Sequence, residues 1–124
     1  MSDERTLQRL RDIIDAIEQI DLLLLGHGAE SLTSDRRLKA AFERFLEIVS
    51  EASRHVPMEL KRASPLINWR RIADIGNHLR HAYQHIDAQI LWDIHAGGEL
   101  ARLGETVNGF ITTLGLSENK KISN

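Results

Sequence analysis

The sequence predicts an all-α fold, an antiparallel helical bundle of four to five helices around one core. Three observations carry this. Apolar residues recur at three- and four-residue steps along most of the chain. No segment alternates apolar and polar residues as a half-buried strand does. The periodic stretches are separated by short breaks rich in Gly, Pro and Ser, which suit tight connections between neighbouring helices.

The first helix is expected over about residues 3–25. Leu7, Leu10, Ile14 and Ile17 form its stripe, and Ile13 and Ile20 widen it. Asp3 and Glu4 suit the first turn, where the helix dipole favours negative charge. Gly26-His27-Gly28 supplies a left-handed cap, with His27 as a polar spacer. A second helix is expected over about 35–55 with Ser34 as N-cap; Leu38, Ala41, Phe42, Phe45, Ile48, Val49 and Ala52 trace its apolar face. Pro57 stops it, a short turn follows over Met58–Arg62, and Ser64-Pro65 breaks the chain again. The third helix starts at Asn68 and reaches about Gln84, with Ile72, Ile75, Leu79 and Tyr83 toward the core. The fourth begins at Asp87 and ends at Gly97-Gly98. The last covers about 99–114, with Leu100, Leu103, Val107, Phe110 and Ile111 inward. Residues 1–115 thus read as one domain and 116–124 as a polar tail.

A chain of 124 residues is long enough for one core. It has no cysteine, which removes thiolate catalysis, disulfides and cysteine-based zinc sites. That suits a cytoplasmic setting. The start, MSDERTLQRL, has no signal-peptide pattern, and the longest apolar run, Leu22–Leu25, is far short of a membrane span. The same run and the two tryptophans offer an apolar face to a second copy, so a homodimer is expected. The overall charge is −2, yet residues 59–86 carry five Lys/Arg against Glu59 and Asp74, a local +3. Such a patch can either meet a phosphate backbone or simply solvate helix faces.

The chemistry-bearing residues concentrate between Ile67 and Trp92. Asn77 and His81 lie one turn apart, opposite the apolar sector, with Arg80 between that sector and His81. His78, His81 and His85 also stand at three- and four-residue spacing. They admit three readings. They can converge on a metal, although a straight helix splays them and only Asp74 stands near. They can be solvated side chains at a helix end, where positive charge is favoured. Or a histidine can move protons at a phosphodiester whose own 2′-hydroxyl is the nucleophile, with positive charge close by. In that case His81 is the acid or base, Arg80 the phosphate clamp and Asn77 the orienting amide. Glu47 and Glu51 on the second helix either orient a histidine or pair with Arg44 and Arg54 along a polar face.

The order Trp69-Arg70-x-Ile72-Ala73, then Asn77-x-Leu79-x-His81-x-Tyr83, then Asp87 and Ile90-Leu91-Trp92, resembles the HepT-like family of HEPN-domain proteins. Phe45–Ala52 resembles that family's second long helix, and the likeness spans about residues 5–114. The resemblance implies a homodimeric all-α bundle and a metal-independent ribonuclease toxin without a cofactor. It further implies two motif copies facing a shared cleft. Its neutralising partner would be an MntA-type minimal nucleotidyltransferase that adenylylates the tyrosine two residues after the catalytic histidine, here Tyr83 after His81. The family's arginine, five residues before the histidine, falls on Gly76. Arg80 is the candidate to replace its charge. A second frame, Arg80 to His85, keeps the spacing but has no tyrosine after it. Two functions therefore stand side by side: an RNA-cleaving toxin, and a binding module that docks a nucleotidyltransferase or holds nucleotide or RNA.

Overall fold

The computed structural model describes residues 3–81 and 86–122, with side chains described as far as residue 115. Helix α1 (Asp3–Leu24) buries Leu7, Leu10, Ile13, Ile17 and Ile20 on one stripe. It ends at Gly26, whose φ of +79° and the bond from His27 N–H to the Leu24 carbonyl make the left-handed cap. A short helix α2 (Ala29–Ser34) follows, anchored by buried Leu32.

Helix α3 (Arg36–Arg54) is capped by Asp35, not by Ser34 as expected. The Asp35 carboxylate accepts from the Arg37 and Leu38 N–H groups at 3.1 Å, and Ser34 closes the preceding helix. Its buried face is Leu38, Phe42, Leu46, Val49, Ser50, Ala52 and Ser53. Ala41, Phe45 and Ile48, expected inward, flank that face half-buried.

Helix α4 (Met58–Ala63) starts at Pro57. Helix α5 (Trp69–His81) is capped by Asn68, whose side chain accepts from Arg71 N–H at 3.0 Å. Asp87 caps α6 (Ala88–Ala96) through Gln89 N–H at 2.8 Å. Gly98, at φ +83°, separates α6 from α7 (Glu99–Ile122), which runs past the expected end near 114.

Helix α1 packs on α3 and α7, α5 packs on α3, and α6 packs on α2 and α7. Leu10, Ile13, Ile20, Phe42, Leu46, Val49, Leu103 and Val107 meet in one closed core. Each such side chain contributes about 1.5–3 kcal/mol by leaving water. Among the described residues every buried side-chain polar atom has a hydrogen-bond partner, and no helix is long and apolar enough to cross a membrane.

The apolar run at the end of α1 splits. Leu24 enters the core, while Leu22 and Leu25 stay 68% and 78% exposed. The tryptophans do not form a free face with them. Trp69 stacks on Phe110 and donates its indole N–H to the Ser64 carbonyl, and Trp92 packs edge-on to His95.

Candidate functional site

Helix α5 is held against α3 by hydrogen bonds to a single turn. Ser50 Oγ accepts from Gly76 N–H at 2.9 Å and donates to the Ala73 carbonyl at 2.9 Å. Arg54 donates to the same carbonyl at 3.2 Å. Ser50 thus meets Gly76 while Arg54 meets Ala73, so the two helices run antiparallel.

These contacts set the rotation of α5. Ile72 and Gly76 face the core and are buried. Ile75 and Leu79, expected to share that sector, are only half-buried. They floor a groove of about 550 Å³ between α5 and α6, together with Ile86, Ile90, Leu91 and Ile94. Asn68, Arg70, Arg71, Asp74 and His78 rim it.

Asn77, Arg80 and His81 occupy an exposed ridge outside the groove lining. Arg80 Nη2 donates to Asn77 Oδ1 at 2.8 Å, a short charge-assisted bond. Side chains on a helix lean toward its N-terminus, so Arg80 lies back over the turn below it. Its Nη1 stands 3.2 Å from the point where a Cβ on residue 76 would be. Among the described residues no carboxylate pairs with Arg80, and neither ring nitrogen of His81 has a partner. A guanidinium held by Asn77 and an exposed imidazole therefore occupy adjacent positions of α5.

The histidines divide. His78 lines the groove, His81 ends the described helix on the ridge, and His85 lies outside the described residues, as does Tyr83. Among the described residues no three His, Asp or Glu side chains gather as metal ligands. Glu47 and Glu51 are engaged along α3 itself, with Arg44 at 3.4 Å and His55 at 3.3 Å. Arg54, the expected partner of Glu51, turns to α5 instead. Lys61 stands 5.9 Å from the centre of the Trp69 ring, where burial pushes its amine below the usual lysine range.

The family model described as "Ribonuclease HepT-like" matches residues 13–108. The chain belongs to the HepT-like ribonuclease family. A protein of Thermococcus cleftensis named probable ribonuclease HepT is 39% identical to this HepT-like chain over 83 residues, 67% of this chain and 76% of that one. Relatives in Caldanaerobacter subterraneus subsp. tengcongensis and Methanocaldococcus jannaschii carry provisional RNase names. They are 29% and 27% identical over 90 and 88 residues, covering 73% and 71% of this chain and 74% and 67% of their own. No solved structure matches.

The family match spans the whole ridge and the α3–α5 seam beneath it. Sequence reasoning placed Asn77 and His81 opposite the apolar sector of α5 and Arg80 between that sector and His81, and the structure brings Asn77 and Arg80 into contact. It overlooked Ser50. That residue lies within the Phe45–Ala52 stretch, and a lone serine on an apolar helix gives no signal of its own.

Proposed function

We propose that this chain is a metal-independent endoribonuclease and the toxin of a toxin–antitoxin pair. The observation that carries the reading is the Arg80–Asn77 clasp next to the exposed imidazole of His81, in a chain of the HepT-like family. The substrate brings its own nucleophile. A 2′-hydroxyl oxygen attacks the adjacent phosphorus, the P–O5′ bond breaks, and a 2′,3′-cyclic phosphate and a 5′-hydroxyl result. One proton leaves the 2′-oxygen and one reaches the departing 5′-oxygen. His81 performs one of these transfers. His81 of a second copy performs the other when two chains face a common cleft. Arg80 neutralises charge on the phosphorane oxygens, and Asn77 fixes the guanidinium while keeping its amide N–H₂ for RNA.

Neutralisation by an MntA-type nucleotidyltransferase completes the proposal. The Tyr83 oxygen attacks the α-phosphorus of ATP, pyrophosphate leaves, and the resulting phosphodiester places an anion two residues from His81. RNA is then repelled by charge and by bulk. The exposed Leu22 and Leu25 side chains offer apolar surface for pairing of two copies.

The test is RNA cleavage in the presence of chelator by wild type, His81→Ala and Arg80→Ala. Cleavage that survives chelation and falls at least ~100-fold in His81→Ala is the expected result. Cleavage that requires added metal, or that persists in His81→Ala, overturns it. In cells, the chain expressed alone arrests growth and His81→Ala does not.

Gly76 supports a second reading, a binding module that docks a nucleotidyltransferase or holds RNA without cutting it. Its seat against Ser50 removes the position from which the family arginine would act. A pure protein that never cleaves RNA yet co-purifies with a nucleotidyltransferase establishes that alternative.

A further inference from the structure

We propose that Ser50 is a positioning residue that fixes where the site's positive charge enters: by closing the space above Gly76 to any side chain, it reserves that space for the guanidinium of Arg80. The proposal rests on the reading of the ridge as an RNA site.

Ser50 is fully buried, and its hydroxyl bonds to both ends of the 73–76 turn. Those two bonds, with the Arg54 bond to the Ala73 carbonyl, draw the α5 backbone close to α3. The closeness is measurable at residue 76. A Cβ there would stand 2.7 Å from Ser50 Oγ, closer than real Cβ atoms approach a neighbour, and 3.2 Å from Ser50 Cβ, tighter than most do. Glycine is thus required at 76 by contact, since its backbone is ordinary right-handed helix with no positive φ.

The third neighbour of that point is Arg80 Nη1 at 3.2 Å. The Arg80 guanidinium therefore covers the glycine, braced by Asn77 on its outer edge. An arginine rooted at 76 would begin its side chain in the same place. Charge is delivered to one spot by a residue one turn later, and Ser50 decides which of the two positions can deliver it. Of the three atoms nearest that point, the two on α3 both belong to Ser50.

The experiment moves the arginine back. Three variants are compared with wild type: Arg80→Ala, Gly76→Arg/Arg80→Ala, and Ser50→Gly/Gly76→Arg/Arg80→Ala. Cleavage is followed with wild-type His81. Binding of a fluorescein-labelled single-stranded RNA is followed by anisotropy in the same variants carrying His81→Ala. Arg80→Ala is expected to lower kcat by about 100-fold or more and to weaken binding about tenfold. The double variant stays within about threefold of Arg80→Ala, because Ser50 still blocks residue 76. The triple variant regains about tenfold or more in both readouts. Recovery in the double variant overturns the proposal, and so does a folded triple variant that recovers nothing.

Should the triple variant not fold, a melting cycle decides. Gly76→Ala lowers Tm by about 5–10 °C with Ser50 present, and by less than half as much alongside Ser50→Ala. Equal losses in the two backgrounds overturn the proposal. Binding without cleavage in the wild type removes the ribonuclease reading and leaves the binding arm to judge Ser50. Absence of RNA binding in the His81→Ala protein removes both.

Discussion

The two long seams of α3 are built on different principles. Toward α1, α3 presents Leu38, Phe42, Leu46 and Val49, which fill a closed apolar core with the leucines and isoleucines of α1. Toward α5 it presents Ser50 and the guanidinium of Arg54, and α5 answers with Ala73 and Gly76. The first seam is held by volume, which tolerates small rotations. The second adds to buried Ile72 a set of directional bonds from Ser50 and Arg54 to the α5 backbone, which do not. The ridge of Asn77, Arg80 and His81 stands on the second seam, where a degree of rotation is translated into displacement of a guanidinium.

The contrast can be broken from the apolar side first. Phe42→Ala opens the centre of the core and should cost about 3–5 kcal/mol. Denaturant titration would read this as a lower midpoint at constant slope, and activity per folded molecule should hold. Ser50→Ala tests the other seam. It should cost about 1–2 kcal/mol through two lost hydrogen bonds, yet lower kcat by about tenfold while KM changes less. A loss of stability with kcat intact would erase the distinction between the seams. Asp35→Ala removes the α3 cap and should cost about 1 kcal/mol with no effect on cleavage, visible as a Tm shift of a few degrees. At the small end, Arg44→Ala breaks only the exposed pair with Glu47, and its melting curve should overlay the wild type.

The apolar seam was the legible part of the sequence. Leu10, Ile13, Ile17 and Ile20 announce α1 by spacing alone, and the caps Asn68 and Asp87 fall where residue type indicates. The cap of α3 is displaced by one residue because Ser34 and Asp35 are both competent, and Ser34 is used to finish α2. Helix α2 itself escapes a periodicity reading, since six residues with one buried leucine contain no repeat. The polar seam was hidden for a related reason. Hydrophobic pattern turns α5 toward Ile75 and Leu79, but a buried residue bonded to α3 is a glycine, which has no hydrophobic signature to register. Asn77, Arg80 and His81 were legible as a cluster by their chemistry and one-turn spacing. What occupies the space above Gly76 was not, because it depends on a serine that lies 26 positions from Gly76 in sequence.

The contact between residues 50 and 76 also constrains how this lineage can change. A larger residue cannot arrive at 76 while a serine hydroxyl stands 2.7 Å from its first carbon. Position 50 has to shrink beforehand, and a shrunken 50 gives up the ties to the turn at 73–76. Substitutions at the two sites are therefore ordered in time, with a change at 50 preceding any at 76.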